Sequence, residues 1–497
     1  MPAEPGLGAA SRPQPSNSAP PAADEALLGV FAPSLYADHI KVYPRAVRGA
    51  FRNIKWLVLI LCLGIYYMLP WLRWDRGPDA PSQALLLDMS GPRGYFFNIE
   101  IWPQEVYYIT GLLILGAVAL FLATALFGRV WCGYTCPQTV WTDLFLLVER
   151  WIEGDRNARI KLDSQKLTTE KFLRKTAKHM VWLLIAAATG GAWIMYFQDA
   201  PTVTREILTG QSSGATYFFF GLFTLTTYGL AGWAREQVCT YMCPWPRFQA
   251  AMQDEHSLIV TYQGWRGEQR GKHKAGESWD GRGDCIDCKA CVHVCPTGID
   301  IRNGPQLECI GCALCIDACD EVMAKVERPP RLIDFISLDN LERRAKQQPT
   351  KLKLLRTRTM LYASMLLIVA IVMTVALLLR SEMEFTVQQV RNPLYVALSD
   401  GSLRNGYVVK ISNKTRAPMD LRLGTARLDG AELFLAGSTE RSNMLDVSIA
   451  ADSVGEYHVF VKAARSKAGG LINFDFVLRD RAGREAGRLQ SQFAQPN

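Results

Sequence analysis

The chain has 497 residues, too many for one ordinary hydrophobic core, and its mean hydropathy of +0.03 averages very different segments. The formal net charge is +8, and many of the Lys and Arg residues lie beside apolar runs. We therefore attribute the excess of basic residues to membrane topology and expect no nucleic-acid partner. Eight of the thirteen cysteines lie between Cys285 and Cys319, and the last hundred residues contain none, which excludes a disulfide scaffold.

Residues 1–50 form the first predicted segment. Pro, Ala and Ser are frequent in its first forty or so residues, and no apolar stretch follows a basic start. The composition therefore predicts a disordered cytoplasmic N-terminus without a secretory signal.

A helix needs about 20 residues to cross a bilayer, and five apolar stretches are nearly that long. They cover roughly 54–71, 107–127, 179–197, 216–234 and 360–379. We predict a four-helix transmembrane region within residues 51–250 and a fifth transmembrane helix within 351–380. The fourth stretch contains Thr224, Thr226 and Thr227, so a buried soluble helix is the alternative there.

The distribution of Lys and Arg predicts the orientation. Both residue types are abundant before the first stretch and between the second and third, but sparse in the loops 72–106 and 198–215. Because cytoplasmic loops carry the excess of Lys and Arg, residues 235–359 should lie in the cytoplasm and the chain after Arg380 outside it.

Residues 381–497 have a different pattern, with short alternating apolar and polar runs such as 407–411 and 457–461. Turn signals such as Asp429-Gly430 separate these runs. The pattern predicts an external β-sandwich of about a hundred residues.

Residues 251–350 contain two cysteine runs with the spacing C-x2-C-x2-C-x3-C. In two-cluster ferredoxins with this spacing, the fourth cysteine of each run ligates the other cluster. We therefore predict a ferredoxin-type domain with two [4Fe–4S] clusters. The first tetrad is Cys285, Cys288, Cys291 and Cys319, and the second tetrad is Cys309, Cys312, Cys315 and Cys295. Zinc or disulfides are the alternatives, although zinc sites usually use two separated C-x2-C pairs.

Three acidic residues accompany the last cysteine of the second run. Asp317, Asp320 and Glu321 put negative charge near a predicted cluster. Because net charge tunes the potential of a cluster, we expect these residues to lower it.

Two further cysteine pairs follow the second and fourth apolar stretches. Each has the pattern C-x3-C-P, formed by Cys132, Cys136 and Pro137 and by Cys239, Cys243 and Pro244, which suggests a repeated two-helix hairpin. Cysteines four apart share one face of an α-helix, and soft thiolates suit Cu(I), zinc or an iron-sulfur cluster. We predict that the four cysteines form an additional copper or cluster site; inert packing is the alternative.

Together these motifs resemble the FixG/RdxA/CcoG family of cytochrome c oxidase accessory proteins. The resemblance is carried by both C-x3-C-P motifs, by the two cysteine runs with Cys295-Pro-Thr-Gly-Ile-Asp300, and by Arg404-Asn405-Gly406-Tyr407. It implies a bacterial inner-membrane protein with an immunoglobulin-like periplasmic domain. It also implies a role in assembling a cbb3-type oxidase, in which Cu(II) is reduced to Cu(I) for the copper-containing subunit.

Single-electron transfer is therefore the leading hypothesis, with a cytosolic electron donor, the clusters as carriers and Cu(II) as acceptor. The expected partners are the lipid bilayer, that donor, and oxidase subunits or copper-delivery proteins. The alternatives are a quinol-oxidising electron-transfer subunit and a non-enzymatic copper chaperone or assembly scaffold. The pattern identifies no catalytic residue.

Overall fold

The structure, a computed structural model, describes residues 41–496 apart from 78–79, 90, 92, 275, 439 and 466–468. Most of the N-terminal segment predicted to be disordered, residues 1–40, lies outside the described residues. The chain divides into two compact units, Met1–Leu366 and Leu367–Asn497, and each is described by itself.

The described chain is mainly helical up to Leu378 and mainly β-structured after it. In chain order the helices are α1 (Ala50–Met68), α2 (Tyr107–Phe127), α3 (Pro137–Glu153), α4 (Arg156–Ser164), α5 (Thr169–Ile194), α6 (Ala200–Thr209), α7 (Gly214–Thr227), α8 (Trp245–Met252), α9 (Gly264–Gly267), α10 (Ala290–Val294), α11 (Leu314–Lys325), α12 (Leu338–Ala345) and α13 (Thr357–Leu378). The strands are β1 (Leu85–Asp88), β2 (Arg93–Phe96), β3 (Ile99–Ile101), β4 (Ile259–Tyr262), β5 (Ile333–Ile336), β6 (Met383–Gln389), β7 (Val396–Ala397), β8 (Leu403–Asn413), β9 (Met419–Ala426), β10 (Glu432–Leu435), β11 (Met444–Ile449), β12 (Ser453–Ala463), β13 (Leu471–Asp480) and β14 (Glu485–Ala494).

Three helices among the described residues are long and apolar enough to cross a membrane. They are Ala50–Trp71, Pro103–Phe127 and Thr357–Leu378, and they coincide with the first, second and fifth predicted stretches. Their most apolar windows are only 17%, 22% and 0% buried within the protein. Most of this apolar surface therefore requires an apolar environment outside the chain, which a bilayer supplies.

Helices α5 and α7 overlap the third and fourth predicted stretches but are not among these three. Helix α5 begins well before its apolar part, and α7 continues from Thr227 into the π-helical segment Tyr228–Ala234. The two helices pack closely, since a Cβ on Gly190 would lie 2.8 Å from Oγ1 of Thr224. A membrane crossing by α5 and α7 stays a prediction.

The loop 72–106 contains a small sheet that the sequence analysis did not predict. Strands β1, β2 and β3 pair antiparallel in that order. Each strand has only three or four residues, which is too short for an alternating pattern to stand out.

The cysteine-rich segment is closed by strands β4 and β5, which pair antiparallel with Ile259 opposite Ile336. Between these strands, the two cysteine runs lead into short helices. Helix α10 carries Cys291, and helix α11 carries Cys315 and Cys319. The strand pair therefore brings the two ends of the cysteine-rich segment together.

The second unit contains two antiparallel sheets around one core. One sheet has the strand order β10-β12-β8-β6, with β7 beside β8, and the other has the order β11-β9-β13-β14. Alternate residues of β8, including Tyr407, Val409 and Ile411, are buried with Phe474 and Phe476 of β13. The alternation seen in the sequence therefore corresponds to one face of each sheet that packs inward.

Candidate metal centre

The four cysteines of the first tetrad line one small cavity. Cys285, Cys288 and Cys291 come from the loop into α10, and Cys319 comes from α11. Tyr262 of β4 lines the same cavity. The fold thus brings together the four residues that the spacing assigns to one cluster, and their ligation of iron stays a prediction.

The second tetrad lines a neighbouring small cavity. Its four cysteines are accompanied by apolar side chains, among them Val260, Ile299 and Ile310. Cys291 lines both cavities, so the two lie side by side. An apolar, four-sulfur environment of this kind fits an iron-sulfur cluster, whose ligands are thiolates.

The two cysteine runs share an unusual backbone. The residues before and after Cys288, Asp287 and Lys289, have φ values of 52° and 58°, and the residues before and after Cys312, Gly311 and Ala313, have φ values of 70° and 59°. Left-handed φ values are uncommon for residues other than glycine and concentrate at functional sites. The two runs are therefore structural repeats in which the chain curls around each cavity.

Burial keeps the thiols of Cys291, Cys309 and Cys319 protonated in the absence of metal. It raises the pKa of Cys291 to about 12 and that of Cys309 to about 12, and it also raises the pKa of Cys319. Because iron binds the thiolate, loading these sites releases protons and replaces them with metal.

Among the described residues, no three His, Cys, Asp or Glu side chains converge as a site for a single metal ion. A cubane cluster does not require such convergence, because each cysteine bonds a different iron.

The acidic residues expected to lower a cluster potential are all partnered. Asp317 accepts backbone N–H bonds from Phe51 and Arg52 at 3.3 and 2.8 Å. Asp320 accepts the backbone N–H of Arg331 at 2.6 Å, and Glu321 pairs with Lys325 at 2.6 Å. Their effect on the potential is therefore weaker than free carboxylates would have.

A cation also lies at the first tetrad. Arg302 lines the cavity and binds Asp300 and Asp287, each with a shortest contact of 2.6 Å. Its two carboxylate partners hold the guanidinium beside the cysteines. The sequence analysis did not single out Arg302, because no pattern marks a residue that comes close only after folding.

The two C-x3-C-P motifs have the same local structure. Cys132 and Cys239 lie in π-helical turns, Trp131–Thr135 and Val238–Met242. Cys136 and Cys243 follow these turns in extended conformation, and a helix begins at or just after the proline. The shared conformation supports an internal repeat, but it differs from the α-helical face that the spacing suggested. Such π-turns occur frequently at functional sites.

The structure brings all four of these cysteines near one another. Burial raises the pKa of Cys132 to about 12, and the neighbouring thiols that add to the rise are those of Cys136, Cys239 and Cys243. Cys132 is buried and donates to Oε1 of Gln249 at 3.2 Å, whereas Cys243 is exposed. The group therefore extends from the protein interior to its surface.

The first C-x3-C-P motif packs directly against the second tetrad. The hydroxyl of Tyr134 donates to the carbonyl of Cys312 at 3.2 Å. Cys132 and Cys312 also belong to one buried apolar cluster with Ile310. The two groups of thiols are thus neighbours within one packed core.

A buried network of charges surrounds helix α3. Arg52 binds Asp143 at 2.8 Å, and Arg159 and Arg235 bind Glu149 at 2.9 and 2.8 Å. The sequence analysis attributed the abundance of Arg and Lys in these segments to membrane topology alone. Their partners on α3, the acidic residues Asp143 and Glu149, were the signal that was missed.

Family models match most of the chain outside its N-terminus. A 4Fe-4S dicluster domain matches residues 234–338, and a 4Fe-4S binding domain matches residues 109–154. The model described as an IG-like fold at the C-terminal of FixG matches residues 373–496.

Curated relatives match this chain over nearly its whole length. Protein RdxA of Cereibacter sphaeroides is 48% identical over 459 residues, which cover 91% of this chain and 96% of the relative. Nitrogen fixation protein FixG of Rhizobium meliloti is 44% identical over 492 residues, which cover 93% and 94%. The chain belongs to the FixG/RdxA family.

As a FixG/RdxA protein, the chain is an iron-sulfur protein of the electron-transport type, and its second unit is the immunoglobulin-like domain that the sequence predicted. Its apolar helices are those of a membrane protein. The 4Fe-4S binding domain model includes Cys132 and Cys136, whereas none of these findings supports copper.

Proposed function

We propose that this FixG/RdxA protein carries single electrons in the cbb3-type oxidase system and reduces Cu(II) to Cu(I). It crosses the bacterial inner membrane five times, with its N-terminus in the cytoplasm and its immunoglobulin-like domain in the periplasm. A cytosolic donor supplies the electrons, and oxidase subunits or copper-delivery proteins receive the Cu(I).

The proposal rests on the contact between the second tetrad and the first C-x3-C-P motif. Clusters held by the two tetrads would supply one-electron carriers. Tyr134 and Gly133 hold the loop of Cys312 against the motif. An electron at the second tetrad therefore needs only a short path to the four thiols of the C-x3-C-P motifs.

The four thiols of the C-x3-C-P motifs are the proposed place of the copper substrate. Because no three Cys, His, Asp or Glu side chains converge as a metal site among the described residues, two thiolates at a time would hold the ion. Thiolates favour Cu(I) over Cu(II), so capture and reduction reinforce each other. Cys243 is exposed and gives access from solvent, while Cys132 is buried on the side of the second tetrad. In the reaction, one electron and one Cu(II) ion yield one Cu(I) ion.

The test uses the full-length protein, purified without oxygen, reduced, and freed of excess reductant. One equivalent of Cu(II) is added, and the Cu(I) formed and the loss of cluster reduction are followed together. We expect Cys239→Ser with Cys243→Ser to retain iron but to slow Cu(I) formation at least tenfold. Cys62→Ser, which changes a thiol in the first apolar helix, is the matched control.

A second double variant tests the role of the clusters. Cys309→Ser with Cys312→Ser should lose iron from the second tetrad, which contacts the first C-x3-C-P motif, and lose Cu(II) reduction. Full-rate Cu(I) formation by this variant would overturn the proposal. Stoichiometric Cu(I) binding without any electron transfer from the protein would instead identify a copper chaperone or scaffold.

A further inference from the structure

Lys55, in the second turn of helix α1, is a lysine buried inside the protein, with only 3% of its surface exposed. It belongs to the apolar helix Ala50–Trp71, which is long enough to cross a membrane. Ionisable residues in such helices are rare and usually mark a functional site. The electron path proposed above gives Lys55 no role.

The ammonium group of Lys55 is only partly compensated by its carboxylate partner. Nζ of Lys55 lies 3.8 Å from Oδ2 of Asp143, which is too long for a hydrogen bond. Nη1 of Arg52 already binds both oxygens of that carboxylate, at 2.9 and 2.8 Å. Because a buried charge is costly unless it is paired, a second negative partner for Lys55 is expected.

Sulfur ligands lie on the other side of this ammonium group. Lys55 lines a small cavity together with Cys239 of the second C-x3-C-P motif. The same cavity is lined by Pro296 and Ile310, each of which directly follows a cysteine of the second tetrad. The other cation on the cavity, Arg235, is bound by a carboxylate of helix α3 at 2.8 Å. Lys55 is therefore the cation that faces the sulfur atoms without a close ion pair.

The charge of Lys55 acts on both groups of thiols. Burial raises the pKa of Cys239 to about 12 and also raises that of Cys312, whereas the positive charge of Lys55 lowers the pKa of both. Glu236, on the same cavity, acts on Cys239 in the opposite sense. Since charges in the interior are weakly screened, one cation can favour negative charge at both places.

We propose that Lys55 is a positioning residue for the transferred electron: its ammonium group compensates the negative charge that the second tetrad gains on reduction, and so raises the midpoint potential there. One-electron reduction of a cubane with four thiolate ligands adds one negative charge and breaks no bond. Net charge near a cluster tunes its potential. Lys55 also borders Cys239, so it lies between the two ends of the proposed path. Only this use in Cu(II) reduction rests on the proposed function.

The test measures midpoint potentials of the full-length protein in detergent, by anaerobic titration with dithionite followed by electron paramagnetic resonance. Lys55→Met keeps the length of the side chain and removes its charge. One of the two clusters should become harder to reduce, by at least tenfold in the equilibrium constant, which is about 59 mV for one electron. Lys55→Arg, which keeps the charge, should restore the potential. Lys178→Met is the control, because it removes a buried lysine that faces Glu149 and Glu153, and should change neither potential.

Iron and acid-labile sulfide are determined for every variant, so that a lost cluster is not mistaken for a shifted potential. If Lys55→Met loses iron, Lys55→Gln, which is also neutral, takes its place. Iron retained by Lys55→Arg but by neither neutral variant would support the same dependence on charge, whereas iron lost from all three would overturn the proposal.

The potentials separate this inference from the proposed function. Wild-type potentials in an iron-replete neutral variant would overturn the role of Lys55 and leave Cu(II) reduction untouched. A lowered potential that Lys55→Arg does not restore would also overturn it, because packing rather than charge would be the cause. A potential that depends on Lys55 in a protein that does not reduce Cu(II) would refute the proposed function and leave this inference standing.

Discussion

Gly133 lies against the main chain of Cys312. A Cβ on Gly133 would stand 3.0 Å from both Cα and N of Cys312, closer than ordinary van der Waals contact. The first C-x3-C-P motif and the second cysteine tetrad are therefore packed as one unit, and a side chain between them would separate them.

Gly133→Val should disrupt the second tetrad. The added side chain must push the loop of Cys312 away, at a cost of about 1–3 kcal/mol for overpacking. We expect iron and acid-labile sulfide to fall by about half, because the first tetrad is not in contact with Gly133. Gly116→Val is the control, since a Cβ at Gly116 of helix α2 meets nothing within 4 Å. Equal iron content in both variants would contradict this prediction.

Asp317→Ala should weaken the attachment of the cysteine-rich segment to helix α1. The Asp317 carboxylate accepts the N–H groups of Phe51 and Arg52 in the first turn of that helix, where a negative charge is favourable. Loss of such a cap costs about 0.5–2 kcal/mol. Thermal unfolding in detergent should show a lower midpoint than Glu321→Ala, which changes an exposed residue of the same helix α11. A midpoint equal to that control would show that the cap contributes nothing.

Glu149 should make the stability of the protein depend on acid pH. Burial alone would raise the pKa of Glu149, but three cations outweigh burial and lower the pKa to about 2, namely Arg235, Arg159 and Lys178. Because the pKa in the folded state lies below the unfolded value of about 4.3, the stabilisation is complete above about pH 5 and is lost as the pH falls towards 2.

Glu149→Gln should therefore be strongly destabilised at pH 7, by about 3–5 kcal/mol, because buried cations lose their partner. The difference from the wild type, measured as unfolding temperature from pH 7 to pH 3, should shrink as the pH falls. Glu170→Gln, which removes an exposed pair with Arg174, should show neither effect. A difference that stays constant with pH would refute the role assigned to Glu149.

Tyr407 links the two sheets of the immunoglobulin-like domain. Its hydroxyl donates to the carbonyl of Gln492 in β14 at 2.6 Å, and the side chain is buried. Tyr407→Phe should cost about 1 kcal/mol, so amide exchange in β14 should accelerate about fivefold by mass spectrometry. Tyr395→Phe, at an exposed tyrosine, should leave the exchange unchanged. Unchanged exchange in both variants would show that the bond does not hold β14.

Much of the architecture could be predicted from local patterns. The apolar stretches at residues 54–71, 107–127 and 360–379 correspond to helices long enough to cross a membrane, and the alternation at residues 407–411 corresponds to strand β8. The helix predictions succeed because the length and apolar character of a stretch are local properties, and the strand prediction succeeds because alternation reflects which side of a strand is buried. The sheet β1-β2-β3 and the π-helical turns escaped prediction because each is only a few residues long.

By itself, the sequence determined the kind of chemistry to expect: the spacing of the two cysteine runs predicts iron-sulfur ligands, because ligands three residues apart can wrap one cluster wherever the segment lies. Only the tertiary structure decided what surrounds those ligands. Arg52 meets Asp143 across 91 residues, and Arg129 meets Cys309 across 180. Such contacts depend on how distant elements pack, and no local pattern records that packing.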